Sequence, residues 1–428
     1  MSGEGMTPGL LSGISHAWRA LRHRNFRLFF VGQGISVIGT WMTRLATSWL
    51  VYRTTHSALL LGVVSFAGQI VPFLISPVAG VWVERLDRRK LLVWTQAAAA
   101  AQSLAMAALT LTHRITLWEI IALSALQGLI NAFDMPGRHS FLIQMVEERE
   151  DLSNAIALNS SLVNGGRLIG PAIAGVVIAA VGEGWCFLID GVSYLAVIGS
   201  LLLMQIKQVV AGRKDSGLRE ELRDGWEYVR RSPALRSILL LFSAVSLMGY
   251  PYVVLLPIFA AQILHGGPHT LGCLTGAAGV GALTSAISLA VRKRVDPLTA
   301  MLPVATCSLG SALILFGLSH QLTISLALMF FAGFGLMQVA AASNTIIQAL
   351  VTEDKRARVM SYYAMAFYGA APFGSLLGGA LAHRIGAPLT VEISGACCLA
   401  CAAWFLLRLP KVNADARHFY RIAEAATD

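Results

Sequence analysis

Charge is what this chain has least of. Only 13% of its 428 residues are Asp, Glu, Lys or Arg, against 56% hydrophobic, and the mean hydropathy is +0.65. A soluble domain carries about 25% charged residues, so a water-exposed globule is excluded and an integral membrane protein remains. Cysteine is sparse as well. The six, Cys186, Cys273, Cys307, Cys397, Cys398 and Cys401, all fall in apolar stretches. Cys398 and Cys401 form a C-x-x-C, but no second pair or nearby histidine completes a zinc or redox site. The chain also lacks a G-x-x-x-x-G-K-[ST] phosphate loop and any nucleophile constellation. ATP hydrolysis, enzymatic catalysis, a metal and a cofactor are therefore not expected.

What is present is apolar sequence in long blocks. A helix needs about 20 residues to cross a hydrocarbon core of about 30 Å, and about twelve stretches meet that length: 27–52, 58–83, 91–112, 116–138, 154–180, 185–205, 237–262, 270–291, 299–318, 322–346, 359–381 and 389–408. The ten-residue alternation of a membrane barrel is missing, so the spans are read as helices.

Orientation follows from the basic residues. With a cytoplasmic N-terminus, roughly 28 of the 33 Lys and Arg lie on the cytoplasmic side, about three (Arg53, Arg114, Arg384) on the other, and two, Arg44 and Arg167, inside the membrane. Both termini are expected in the cytoplasm of a bacterial cell, with the chain in its cytoplasmic membrane. The net charge of +10 has this topological explanation, and no nucleic-acid partner is expected. Met1 to Asn25 is not a cleavable signal peptide, because the apolar segment that follows is too long and lacks a small-residue cleavage site. The first span is expected to act as an uncleaved anchor.

The organisation is bipartite. A polar stretch, 207–236, separates a six-helix bundle over 1–206 from a second six-helix bundle and tail over 237–428. Within it Leu218, Leu222, Trp226 and Val229 recur at three- and four-residue spacing, which predicts an amphipathic helix on the cytoplasmic face. GLINAFDMPGRHSFLIQMVEEREDLSNAIALN and GLMQVAAASNTIIQALVTEDKRARVMSYYAMA echo each other about 205 residues apart, the mark of a duplicated transporter with its path between the halves.

The loop Gly80 to Lys90, GVWVERLDRRK, resembles the G-x-x-x-D-R-x-G-R-K signature of the major facilitator superfamily: Gly80, Arg85, Arg88 and Arg89 match, Glu84 replaces the aspartate and Asp87 the glycine. NAFDMPGRHSFL, RLIGPAIAG and KRARV, together with that loop, are similar to the branch containing the enterobactin exporter and macrolide efflux proteins, and the resemblance covers essentially the whole chain. It implies an all-α membrane protein of twelve transmembrane helices in two pseudo-symmetric six-helix bundles, working as a monomer. It also implies an inner gate that includes Arg85 and Arg138, in which Glu84 faces the start of span eleven near Val359, Arg88 pairs with Asp134, and Arg356 and Arg358 supply the second half's charges. Gly166, Gly170, Pro171 and Gly175 resemble the superfamily's antiporter motif, which thins one helix face and bends it.

The polar residues inside the spans fall in stripes. Gln33, Ser36, Thr40, Arg44 and Thr47 share one side of span one; Ser124, Gln127, Asn131, Asp134 and Arg138 one side of span four; Ser160, Asn164, Arg167 and Pro171 one side of span five. Such stripes are costly unless they face water, substrate or one another. The second half offers Tyr250, Gln338, Asn344, Tyr363 and Tyr368, each of which taken alone reads more as helix-packing glue than as a ligand. A charged wall facing an aromatic one suits an amphipathic organic molecule. A rise of about 1.5 Å per residue puts Arg167 roughly 18 Å into span five and Arg44 roughly 24 Å into span one, so Asp190 in span six matches the depth of Arg44 while Arg167 stands alone.

Asp134 and Asp190 are the carboxylates available to carry a proton, and the membrane potential supplies about 2.3 kcal/mol per charge per 100 mV. The expected function is proton-coupled export of a siderophore- or drug-like small molecule by antiport. Transport of a lysophospholipid or other metabolite, and ligand sensing or scaffolding without transport, are the alternatives.

Overall fold

The computed structural model describes residues 18–146, 148–205, 218–291 and 298–425, all helical or in short turns, with no strand among them. A 3-10 turn, Arg19–Arg22, leads into α1 (Arg24–Thr55), α2 (Ala58–Arg85), α3 (Arg88–Leu111), α4 (Leu117–Met145), α5 (Leu152–Val181) and α6 (Glu183–Leu203). Then comes the linker helix α7 (Leu218–Arg231). It is followed by α8 (Pro233–Gly249), α9 (Tyr252–Ile258) with a π-helical turn Phe259–Ile263, α10 (Pro268–Ala290), α11 (Leu298–Leu318), α12 (Leu322–Leu350), α13 (Glu353–Tyr368), α14 (Ala370–Ile385) and α15 (Ala387–Ala425).

Ten spans are long and apolar enough to cross a bilayer, taking α8–α9 and α13–α14 as one span each. α1 and α4, at 32 and 29 residues, have the length, but their polar stripes dilute the hydropathy. With them the spans number twelve.

Side chains at the helix ends set the boundaries. Ser57 accepts from the Leu60 N–H at the start of α2, Asp87 from Arg89 and Lys90 at α3, and Ser232 from Leu235 at α8, where Pro233 occupies the first helical position. The internal repeat is written in the stops. His56 and His265, 209 residues apart, end the α1 and α8–α9 spans in left-handed conformations, φ 48° and 50°. Gly182 and Gly386 do the same for α5 and α14 at φ 91° and 87°, where a side chain would be strained.

Two seams join α1–α6 to α8–α15: α2 against α14, and α5 against α10. Both are built on backbone contact through glycine. A Cβ on Gly62 would lie 2.7 Å from the Ser375 carbonyl oxygen, and one on Gly272 would lie 2.7 Å from that of Pro171. Phe66 meets Phe373 edge-on at 5.7 Å. These contacts cluster at the end of the bundle away from α7, here the far end. Towards the linker end the last close approaches are Gly279 against Arg167 and Leu168, and Gly369 against Phe73; among the described residues no glycine contact between the halves lies closer to α7. Among the described residues, backbone contact between the halves through glycine is thus concentrated at the far end.

The linker stretch contains the helix α7, which packs against the start of α13. Val229 is buried, Trp226 packs on Tyr362 with ring centroids 5.9 Å apart, and Asp224 accepts a 2.7 Å hydrogen bond from Arg358 at the start of α13. The side chains of Leu218 and Leu222 lie outside the described residues.

Candidate functional site

The site begins with a gap in α5. Gly166 and Gly170 leave a groove in which Trp41 of α1 lies: a Cβ on Gly170 would be 2.5 Å from the Trp41 Cβ, and one on Gly166 would be 3.4 Å from its ring Cδ1. Arg44, three residues further along α1, places its guanidinium carbon 4.7 Å from the Trp41 ring centroid, and Arg167, next to Gly166, places its own 5.7 Å away. Helix rise alone separates the two arginines by about 6 Å in depth. Trp41 lies nearly a turn back along α1, and two long side chains close the rest. The arginines expected at different depths therefore share one ring.

Neither guanidinium has an ion pair or a hydrogen bond to protein among the described residues. A cation over an aromatic face gains about 0.5 to 2 kcal/mol, whereas an arginine at mid-membrane costs about 2.5 to 3.5 kcal/mol on insertion scales. Trp41 thus offsets part of the cost and leaves the N–H groups unsatisfied. The guanidinium carbons are at most about 10 Å apart, the sum of the two ring distances. At that separation they repel by roughly 2 kcal/mol at an effective dielectric of about 20, less where water fills the cavity. Arg44 is exposed and Arg167 half-buried, so both are open to whatever enters. Across the cavity the Tyr252 hydroxyl is within electrostatic reach of Arg167, and Tyr368 of Arg44, with Tyr250 close to both tyrosines.

The rest of the stripes divide between cavity and packing. Gln33 and Gln338 are buried, not lining. Gln338 accepts from Ser285 at 2.6 Å and so ties α12 to α10, and Gln33 leaves its Oε1 without a partner. Thr40 donates to the Ser36 carbonyl at 3.0 Å, Asn164 to the Ser160 carbonyl at 2.9 Å, and Gln127 to Asn131 at 3.3 Å, all within their own helices. Asn344 accepts from Gln348 at 2.8 Å. Tyr363 stacks on Phe242 at 4.7 Å and donates to the Ala340 carbonyl at 2.9 Å. Tyr368 stands 53% exposed.

The carboxylates separate sharply. Asp134 is expected to pair with Arg88; instead it pairs with Arg138, one turn along α4, and accepts from Thr95 at 2.9 Å and Gln96 at 2.7 Å on α3. Arg88 reaches only the Ser140 carbonyl, at 3.5 Å, and Arg89 donates to the Leu201 and Leu202 carbonyls at 2.8 and 2.7 Å, at the end of α6 where a cation suits the helix dipole. Asp190 is 2% exposed and accepts from Thr43 at 2.9 Å and Ser103 at 3.1 Å, while its Oδ1 has no partner. Among the described residues it makes no ion pair with Arg44; its bonded oxygen is taken by the hydroxyls of Thr43 and Ser103. Glu392 on α15, with its Cγ against Gly317, is a further carboxylate inside a span. A lone acid in APLTVEISGACC was the signal for it.

Of the expected gate, Glu84 and Arg85 have side chains outside the described residues. Arg356 lies 3.9 Å from Glu353, and Arg358 is held by Asp224 of the linker.

A bundle of twelve spans in two joined halves, with two guanidiniums inside it that have no ion pair among the described residues, is a membrane transporter of the major facilitator type, moving small molecules. The chain belongs to the family of transmembrane secretion effectors, which matches residues 15–426. It is similar to the staphyloferrin A transporter of Staphylococcus aureus, 24% identical over 91% of this chain and 98% of that one. The multidrug efflux pump Tap of Mycolicibacterium fortuitum is 25% identical over 81% and 87%, and macrolide efflux protein A of Streptococcus pyogenes 21% over 87% and 94%. Among solved structures the fold is shared with a POT family transporter in complex with 5-aminolevulinic acid, TM-score 0.74 at 12% identity over 91% of this chain and 96% of that one. It is also shared with a bacterial homologue of the human lysosomal transporter Spinster, TM-score 0.69 at 14% identity over 97% and 99%.

Proposed function

We propose that this protein exports an amphipathic small molecule across the bacterial cytoplasmic membrane by alternating access, in exchange for protons. The observation that carries the reading is the pair of guanidiniums over Trp41 that have no ion pair or hydrogen bond among the described residues; in this reading the space beside them opens at the linker end. On the basic-loop count that end is cytoplasmic, with both termini, so substrate enters from the cell interior. The units that rock are 1–206 and 237–428, tied by the linker 207–236, and they act within a monomer. Two of the three relatives are named for efflux, which favours export.

Asp190 is the proton carrier in this reading. Its Oδ1 accepts no hydrogen bond, which leaves it an oxygen to take a proton, and it sits behind Thr43, the neighbour of Arg44. Asp134, with a cation and two donors on its oxygens, is a structural brace.

Efflux of erythromycin, ethidium and citrate from proteoliposomes under an imposed pH gradient tests the reading. Flux of at least one, accelerated by the gradient, is expected. No flux of any probe defeats transport, and flux indifferent to the gradient defeats proton exchange.

A further inference from the structure

Resting on the transport reading above, we propose that the cavity selects organic anions carrying two acidic groups, one received by Arg44 and the other by Arg167, with Trp41 as the positioning residue for both.

The chemistry is set by what the protein leaves undone. Both guanidiniums are held within 6 Å of one indole ring, and neither meets a carboxylate among the described residues. Asp190, the nearest acid in depth, gives its bonded oxygen to Thr43 and Ser103. A ligand cation entering this space meets two like charges. A single carboxylate compensates one and leaves the other. An anion with two acidic groups compensates both, and each guanidinium presents a planar fork of donors suited to a carboxylate. The ligand's length is bounded too, because the guanidinium carbons are no more than about 10 Å apart by the two ring distances. Tyr368, 53% exposed and near Arg44, and the half-buried Tyr250 close to it supply rings for an apolar connecting body.

Trp41 is what makes two arginines into one receptor. Its ring is seated by Gly166 and Gly170, which fixes the indole and through it the two cations. A leucine in its place keeps both charges and removes their shared support.

Binding to the purified full-length protein provides the test, read as stabilisation against thermal unfolding. The probes are succinate, adipate and azelate, with butyrate, hexanoate and nonanoate as single-acid partners of equal length and tetraphenylphosphonium as a lipophilic cation. At least one dicarboxylate is expected to bind about tenfold or more tightly than its monocarboxylate partner. Arg44→Gln and Arg167→Gln each reduce it to the monocarboxylate level, and Trp41→Leu weakens it several-fold with both arginines present. The proposal is overturned if no dicarboxylate outbinds its partner, if tetraphenylphosphonium is preferred, or if both Gln variants bind as the native protein does. Should a Gln variant lose its native melting transition, Arg44→Lys and Arg167→Lys decide: a retained dicarboxylate preference supports the site, and its loss in a natively melting Lys variant overturns it. Equilibrium binding requires no flux. Dicarboxylate binding without transport therefore keeps this site and removes the transport reading, whereas transport of a cation without dicarboxylate binding does the reverse.

Discussion

In the first half, α1 and α5 run unbroken past the cavity and bring two guanidiniums to it, whereas the equivalent spans of the second half are interrupted and bring tyrosines. The break between α8 and α9 falls at Tyr250 and Pro251, and that between α13 and α14 at Gly369, directly after Tyr368. Proline removes a backbone donor, and glycine allows the approach of Phe73. An arginine needs a fixed support to stand unpaired in a membrane, and continuous helices locked by Gly166 and Gly170 around Trp41 provide one. A tyrosine ring makes non-directional contact and tolerates a wall that bends. The charged wall sets what is bound, and the hinged wall adapts to it.

The sharpest break of that comparison is Arg167→Gln. Transport is expected to fall at least about tenfold, with little change in melting temperature, because the guanidinium has no ion pair or hydrogen bond to lose among the described residues and the loss of its contact with Trp41 is offset by removing a charge from the membrane interior. Unchanged flux at normal expression would make the residue structural. Next comes the pair of carboxylates in the first half. Asp134→Asn strands a half-buried Arg138, and a melting measurement should record a loss of about 2 to 4 kcal/mol. Asp190→Asn keeps the fold and substrate binding and abolishes the response of flux to a pH gradient; a gradient response surviving in that variant removes Asp190 from the coupling.

A smaller effect concerns the seams. Gly272→Ala sets a Cβ against the Pro171 carbonyl and is expected to cost about 1 to 3 kcal/mol, measured by melting, and to slow transport by loosening the far-end seal. The smallest is on the aromatic wall: Tyr250→Phe and Tyr368→Phe should each lower apparent affinity only about threefold, since a neutral hydrogen bond is worth about 1 kcal/mol or less. Losses there as large as at Arg167 would erase the difference between the walls.

Much of this was legible in the residues themselves. Long apolar blocks give the spans, and the i, i+4 recurrence of Leu218, Leu222, Trp226 and Val229 gives α7. Arg44 and Arg167 stand out because a charge in an apolar block has few bland explanations. What was not legible is register between helices. Nothing local says that Trp41 drops between Gly166 and Gly170, which is what joins the two arginines, or that Asp190 takes its hydrogen bonds from Thr43 and Ser103. Asp134 took Arg138 over Arg88 because a neighbour one turn away on the same helix is always within reach, while a loop arginine is not. Gln338 sits in a polar stripe yet is buried against Ser285, and periodicity alone does not distinguish a cavity face from a packing face.

The most direct test of the central claim, that the first half presents positive charge to a cavity open at the linker end, uses Tyr368→Cys in a variant lacking the six native cysteines. That position is exposed and within electrostatic reach of Arg44. The rates of modification by an anionic sulfonate thiol reagent and by its cationic ammonium counterpart are measured from each side of the membrane. The account predicts that the anionic reagent is the faster and that reaction proceeds from the linker side. A faster cationic reagent, or reaction only from the far side, would contradict it.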